Sequence, residues 1–377
     1  MTAGGADAQA RLRALLTTMD FPPTRGGIQT MAREILARAV DVSYRVVAPA
    51  DPGHRAFDAP LDLPIRRAPK VLPGRRGYVP GVAFLARREA RRWRPDAALA
   101  MHVLAAPGPI AAGVPTVVIV HGGELRSARI ARAARWVLPR AARVVANSAY
   151  TRTAAVGLGA DPMRTTVVPV GAPDPVQVDP AAVEALKRRL GDERLLLSVG
   201  RLAPHKGFDR LIRAMPDIPD ARLVIVGGGG GREQLNAIAR EAGVADRVVL
   251  AGAVDDEELA VHYAAADAFV LLSRETGAGV EGGGIVLLEA LAYGLPVVAA
   301  STGGIPETIR DAETGLLVDP EDGSAVVRVL RRILDDRELA ERVAAAGKAM
   351  ATGERSWTKF VERIERVLDQ AAPPRAS

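Results

Sequence analysis

The sequence predicts an α/β protein made of two parallel-sheet halves, and three observations lead there. Short apolar runs rich in Val, Ile, Leu and Ala alternate with segments of helical period from end to end. Such alternation builds strand–helix–strand crossovers, and crossovers make parallel sheets. It occurs twice, on either side of a break carrying Pro169, Pro173, Pro175 and Pro180. At 377 residues, 48% hydrophobic and 25% charged, the chain can bury a core in each half.

In the first half, Arg13–Asp20 reads as a strand ending at Phe21-Pro22-Pro23. Gly26-Gly27 then turns into a helix with Ile28, Met31, Ile35, Leu36 and Ala39 on one face. Strands follow at Tyr44–Ala48, Ala97–Val103, Thr116–Val120 and Val144–Asn147. The uncharged stretch Ala97–Val120 is long enough to cross a bilayer. Pro107, Gly108, Pro109, Gly113 and Pro115 would break such a helix, so it reads as two buried strands flanking a turn. In the second half, strands are expected at Arg194–Val199, Arg222–Val226, Arg247–Leu250, Ala268–Leu272 and Pro296–Ala300. Helices such as Arg232–Ala242 and Ile285–Tyr293 lie between them. The segments after Asp322 are helical in pattern, and Ala371–Ser377 reads as a frayed tail.

Composition removes several classes of function. With no cysteine there are no disulfides, thiolate metal sites or cysteine nucleophiles, and a reducing compartment fits. Aromatics at 4% argue against base-stacking platforms for single-stranded nucleic acid. The apolar run Ala14-Leu15-Leu16 is too short for a secretory leader, so a cytoplasmic protein is expected. Charge divides the chain: residues 1–175 hold 25 Lys and Arg against 12 Asp and Glu, leaving 25 against 32 for the rest. Between Ile65 and Arg94, ten cations (Arg66, Arg67, Lys70, Arg75, Arg76, Arg87, Arg88, Arg91, Arg92 and Arg94) face one acid, Glu89. Arg126, Arg129, Arg132 and Arg135 would line one side of a helix. A solvated arginine face explains this; so does attraction to an anionic membrane or a phosphorylated acceptor. Nucleic acid is disfavoured, since no binding module accompanies the basic residues.

The second half carries the chemistry. After the Leu195–Val199 strand comes Gly200-Arg201-Leu202-Ala203-Pro204-His205-Lys206-Gly207, leading into a helix. A guanidinium, an ammonium and free helix amides are suited to gripping a diphosphate, though a solvated surface loop would read the same. Gly227 to Gly231 would let a backbone approach a ligand, or form a plain flexible loop. The most informative stretch is Glu281-Gly282-Gly283-Gly284-Ile285-Val286-Leu287-Leu288-Glu289. Two carboxylates flanking an anion site make electrostatic sense when a polyol sits beside the anion, as in a nucleotide sugar. An ordinary capped helix is the competing reading.

Together Gly200-Arg201, Lys206-Gly207, Glu281 with Glu289, Gly294-Leu295-Pro296-Val297-Val298 and Gly303-Gly304-Ile305-Pro306-Glu307 resemble the signature of retaining glycosyltransferases of family 4, with the GT-B fold. Phe21–Gln29, His121-Gly122 and Asn147-Ser148 resemble that family's amino-terminal landmarks, so the likeness spans about Leu15 to Asp369. The Phe-Pro-Pro loop and Gly277–Gly284 look most like bacterial phosphatidylinositol-mannoside mannosyltransferases. The resemblance implies two Rossmann-like domains facing a cleft. Their expected bounds are 1–173 on the acceptor side and 174–355 on the donor side, with a helix in 356–377 crossing back.

By position, the resemblance implies that Arg201 and Lys206 neutralise the donor diphosphate and that Glu281 holds sugar hydroxyls. Glu289 would hold the ribose, Val254 would lie beside the base, and Gly283, Gly284 and Ile285 would meet phosphate and sugar. His121 would sit at the reaction centre, or merely cap its strand, and Gly26-Gly27 would approach donor phosphate and acceptor. Many relatives have an aromatic or larger apolar residue where Gly283 stands. His54, His102, His205 and His262 show no metal-ligand spacing, and no Asp-x-Asp occurs, so no divalent metal is expected. The implied reaction moves a hexose with retention from a nucleotide-diphosphate sugar to an acceptor hydroxyl. GDP-mannose with a phosphatidylinositol mannoside at the inner membrane face is one pairing. A UDP-sugar with a soluble natural product such as an aminoglycoside, or with a cell-envelope acceptor, is the other. A dinucleotide oxidoreductase would need a fuller glycine fingerprint than Thr24–Gln29 offers. A nucleotide-sugar epimerase lacks its acidic base pattern, a hydrolase lacks a base for Ser148, and a non-catalytic binder requires that donor not bind.

Overall fold

The computed structural model describes residues 11–191, 193–276, 279 and 281–374. Val280 and its neighbours 277 and 278, part of the mannosyltransferase-like stretch, and the tail residues 375–377 lie outside them. Two compact units result. The first comprises the chain to Asn147, Thr151–Val168 and the segment from Trp357 onward; the second comprises Ser148–Tyr150 and Pro169–Ser356.

The first unit is a parallel sheet of β1 (Leu12–Thr17), β2 (Val42–Pro49), β3 (Ile65–Ala68), β4 (Ala97–Ala100), β5 (Thr116–Val120), β6 (Arg143–Ala146) and β7 (Thr165–Val167). Their order is β3-β2-β1-β4-β5-β6-β7. The central strands are buried on both faces, as continuous apolar runs in a parallel sheet must be. On one face, helices Val79–Trp93 and Ala128–Val137 contribute Val82, Ala86, Ala90, Ala134 and Val137 to a single core. Helix Trp357–Ala371 buries Trp357, Phe360, Val361, Ile364 and Leu368, and it packs with helix Gly27–Arg38 and with β4 and β5. Each such side chain contributes about 1.5–3 kcal/mol of apolar burial, which holds the end of the chain to this unit.

The second unit is a parallel sheet of β8 (Arg194–Val199), β9 (Ala221–Val226), β10 (Val248–Gly252), β11 (Ala268–Leu271), β12 (Val297–Ala300) and β13 (Leu316–Val318), ordered β10-β9-β8-β11-β12-β13. Its core joins Leu196, Ile225 and Val270 of the sheet to Phe208, Leu211 and Ile212 of helix Phe208–Ala214 and to Leu330 and Ile333 of helix Gly323–Asp335. In both sheets the strand order reverses beside the first strand, between β1 and β4 and between β8 and β11. Ligands of open parallel sheets bind at such switch points, beyond the carboxyl ends of the strands.

Three expectations need correction. The Ala97–Val103 strand stops at Ala100, and Val103–Ala105 is a 3-10 turn whose Ala105 carbonyl accepts from Thr17 Oγ1. The supposed turn before β5 contains a short helix, Pro107–Ala111. Its prolines lie in the first turn, where the missing N–H costs nothing. Helix Gly27–Arg38 buries Gln29, Met31, Ala32 and Ile35, leaving Ile28, Leu36 and Ala39 half-buried.

Candidate active site

At the switch point of the second unit, the loop after β8 holds Arg201 and Lys206. Leu202 is buried in the core and its amide donates to the Gly228 carbonyl, which pins the loop and leaves Arg201 exposed. Among the described residues the Arg201 guanidinium makes no hydrogen bond or ion pair. The loop closes through a 3-10 turn, Pro204–Lys206, into helix Phe208–Ala214. The glycine run after β9 has a structural task as well. A Cβ at Gly227 would lie 1.9 Å from the Gly200 carbonyl oxygen, so this glycine is required by a neighbouring backbone.

The loop after β11 brings the first carboxylate to the same place. Lys206 Nζ lies 2.5 Å from Glu281 Oε2, and both side chains are mostly buried. The other oxygen, Oε1, accepts from the Gly284 amide at 3.2 Å, at the N-terminus of helix Ile285–Tyr293. Gly284 has φ +57, left-handed backbone that suits glycine and turns the chain into that helix. Burial alone would raise the Glu281 carboxyl, but the Lys206 ammonium and the amide outweigh it and hold the pKa below the usual range. The turn is fixed from behind: Gly304 N donates to Glu281 O at 3.0 Å and Thr308 Oγ1 to Gly283 O at 2.9 Å. The second landmark segment, Gly303–Glu307, thus braces the first. Its Glu307 carboxylate also accepts from the amides of Ala149 and Tyr150.

Glu289 lies one turn into the same helix. Its Oε2 accepts from Tyr263 Oη at 2.7 Å, and Tyr263 stacks on Tyr293 with ring centroids 5.2 Å apart. Burial pushes the Glu289 carboxyl above its ordinary pKa despite the tyrosine's hydrogen bond. Val254 is half-buried between β10 and the helix that carries Tyr263, Asp256–Ala265. Ile285 opens its helix, half-buried, next to Gly283 and Gly284.

In the first unit, Gly26 and Gly27 open the helix that follows β1. His121 follows β5, and its Nε2 lies 2.8 Å from the Met101 carbonyl at the end of β4. A carbonyl only accepts, so Nε2 carries the proton in that bond. His121 also donates its amide to Glu124 Oε1 at 2.7 Å. The histidine therefore ties two strand ends together. Among the described residues no group of three or more His, Asp or Glu side chains could hold a metal ion, and no helix is long and apolar enough to cross a membrane.

Sequence reasoning missed one member of the candidate site. Tyr263, 26 residues before Glu289, shares no local pattern with it; packing between their helices unites them. His205, next to Lys206, is a packed residue of the same loop. It is buried, its carbonyl accepts from the Arg274 amide at 2.9 Å, and a Cβ on Gly279 would lie 3.0 Å from its Nδ1. Burial, then the charge of Lys206, holds its pKa below the ordinary histidine value.

The description "Glycosyltransferase Family 4" matches residues 25–174, and "Glycosyl transferases group 1" matches residues 184–350. A sucrose-phosphate synthase from Thermosynechococcus elongatus superposes with a TM-score of 0.80 over 96% of this chain and 98% of its own, at 21% identity. The Anabaena protein HepE, solved with UDP and glucose, gives 0.79 over 95% and 99%, at 22%. The two sheets have the GT-B fold of these structures, and the two family models make the chain a glycosyltransferase. In sequence, the chain is 36% identical to the GDP-mannose-dependent alpha-(1-6)-phosphatidylinositol monomannoside mannosyltransferase of Mycobacterium tuberculosis, over 96% of this chain and 99% of that one. It is 32% identical to the monoacylated-acceptor mannosyltransferase of Corynebacterium glutamicum, over 95% and 98%. The chain belongs to glycosyltransferase family 4.

Proposed function

We propose that this enzyme transfers mannose from GDP-mannose, with retention and without a divalent metal, to a hydroxyl of a phosphatidylinositol mannoside. The observation that carries the donor half is the meeting of Lys206, Glu281 and a helix N-terminus at the switch point of the second unit. Lys206 and Arg201 stabilise the departing diphosphate, and the amides of Gly284 and Ile285 add the helix terminus. Glu281 accepts from sugar hydroxyls, and Glu289, oriented by Tyr263, accepts from the ribose beneath a base lying on Val254. In the first unit, Gly26 and Gly27 are given to phosphate and acceptor, and His121 to the reaction centre, by their positions in the family's motifs. Retention follows if the donor phosphate leaves on the face the acceptor attacks and takes the acceptor's proton. That demands orientation and charge stabilisation more than a dedicated base. The mannosyl donor and lipid acceptor rest on the mannosyltransferase relatives.

The acceptor half gains support from the first unit's outer surface. Helices Val79–Trp93 and Ala128–Val137 share one face of the sheet and bury small apolar residues. Their other sides expose Arg87, Arg88 and Arg91 around Phe84, and Arg129, Arg132 and Arg135 beside Trp136. Arg126 precedes the second helix in a 3-10 turn, so three of the four spaced arginines lie on that helix. Arginines ringing exposed aromatics fit an anionic bilayer at the cytoplasmic face, at about 1 kcal/mol per cation. Sedimentation with phosphatidylinositol vesicles should exceed that with phosphatidylcholine vesicles, and Arg87, Arg88 and Arg91 changed together to Glu should abolish the difference.

The primary test is binding and slow hydrolysis across GDP- and UDP-linked hexoses with EDTA present. A preference for GDP-mannose upholds the reading. A preference for UDP-glucose or UDP-GlcNAc moves the acceptor to a soluble or cell-envelope molecule, and activity lost to EDTA but rescued by Mg²⁺ overturns the metal-free mechanism.

A further inference from the structure

We propose that Tyr293 is a positioning residue for the nucleotide half of the donor: its ring holds Tyr263, and Tyr263 holds the Glu289 carboxylate in the pose that meets the ribose. This rests on the donor-site reading above and extends it to a residue that need not touch the ligand. Glu289 and Tyr293 stand four residues apart on helix Ile285–Tyr293, so their side chains share one face of it. Tyr263, on helix Asp256–Ala265, docks against both. Its hydroxyl donates to Glu289 Oε2 at 2.7 Å, and its ring stacks on that of Tyr293, with the two planes 12° apart.

The placement of the Tyr263 ring decides what its hydroxyl can do. A phenol has one proton, and two acceptors lie near this one: the Glu289 carboxylate, and the Val286 carbonyl at 3.5 Å. Val286 is about one turn earlier on the same helix, so a slip of the ring along that helix would trade one acceptor for the other. Two rings oppose the slip. Phe269, in the buried strand β11, stands 6.0 Å away, and Tyr293 lies nearly parallel. Tyr293 is itself anchored: its Oη accepts from the Val176 amide at 3.1 Å, in the segment that precedes helix Pro180–Leu190. With Oε2 taken by Tyr263, Glu289 keeps Oε1, which makes no bond among the described residues and can accept from a ribose hydroxyl. The effect of Tyr293 thus passes through one hydroxyl and one carboxylate.

Calorimetric titration of GDP-mannose into the wild type, Tyr293→Leu, Glu289→Ala and the double variant tests this, with KM and kcat measured on the same proteins. Loss of the stack should weaken donor binding about fivefold and raise KM to match, while kcat stays within about twofold. Tyr293→Phe keeps the ring and should restore most of the affinity. In the Glu289→Ala background, Tyr293→Leu should cost no further donor affinity, because the group it positions is gone. If Tyr293→Leu folds poorly, Tyr293→Met, unbranched and better able to fill the ring's space, takes its place in the same cycle. A loss of equal size with and without Glu289 defeats this inference alone. So does no loss in a folded variant while Glu289→Ala weakens binding. If Glu289→Ala binds GDP-mannose as the wild type does, or the folded wild type does not bind it, the ribose assignment falls and takes the inference with it.

Discussion

The two units share a switch-point topology and treat the ends of their strands in opposite ways. In the second, the loops after β8 and β11 bring a lysine, a carboxylate and a helix N-terminus together, and Arg201 in the first of these loops makes no side-chain bond among the described residues. In the first, the loops are tied down by their own charges. Arg67 reaches Asp58 and the Pro49 and Pro22 carbonyls while lying over the Phe21 ring. Arg75 reaches Asp51, Asp20 and the Met19 carbonyl. The difference separates two uses of cations that composition alone merges. Arg67, on β3, and Arg75 are satisfied internally and serve structure; in the second unit's loop Lys206 is held by one carboxylate and Arg201, among the described residues, by none, which leaves them for a ligand.

The largest test of this contrast is Lys206→Ala. On the proposed role, removing this charge from a leaving diphosphate should lower turnover about 10³-fold, read from steady-state hydrolysis and transfer by the folded protein. Near-normal turnover would sink the diphosphate assignment. Arg67→Ala should do the reverse. Its side chain is only 7% exposed, and its loss strands Asp58 and two carbonyls, at a cost of about 2–3 kcal/mol in denaturant unfolding. Donor affinity in the folded fraction should not change.

Glu289→Ala should come next, weakening donor binding about tenfold with a smaller change in the chemical step, since a ribose contact is made equally in ground and transition states. Tyr263→Phe should reproduce part of that loss by freeing the carboxylate's orientation. A turnover defect as large as that of Lys206→Ala would mean that Glu289 touches the reacting centre.

The same contrast shows what the sequence displayed and what it hid. The long apolar strands were legible because both faces are buried and the runs are continuous. The Arg201–Lys206 loop and the Glu281/Glu289 pair were legible because each sits in one short segment around a turn. The edge strands β3, β7 and β13 were not, being only three or four residues long; β3 is Ile-Arg-Arg-Ala and β7 Thr-Thr-Val, and even the apolar β13, Leu-Leu-Val, is too short to show a period. Arg67 and Arg75 looked like members of a basic surface because their partners Asp58, Asp51 and Asp20 lie at other positions along the chain. The Lys206–Glu281 pair spans 75 residues, and only the adjacency of β8 and β11 creates it. Charge counts locate cations; topology decides whether they are spent.

The smallest predicted effect lies where the last helix meets the first unit. Glu365 is buried there, and its Oε1 accepts from the amides of Val40 at 3.0 Å and Asp41 at 3.2 Å. Burial raises the Glu365 carboxyl above its ordinary value, more than those amides lower it, and the charge of Asp41 pushes the same way. The folded state therefore holds this proton more tightly than the unfolded chain. Its contribution to stability is fully present below the unfolded pKa and is lost as pH rises through the folded one. Glu365→Gln keeps an acceptor for the amides and removes the titration. At pH 7.5 the variant should match or exceed the wild type, by no more than about 1 kcal/mol. At a pH below the ordinary carboxylate range that advantage should vanish, as urea midpoints at the two pH values would show. A variant clearly less stable at pH 7.5 would mean that the ionised carboxylate's bonds to the amides outweigh its burial, and that this end of the first unit, like its loops, is held by charge.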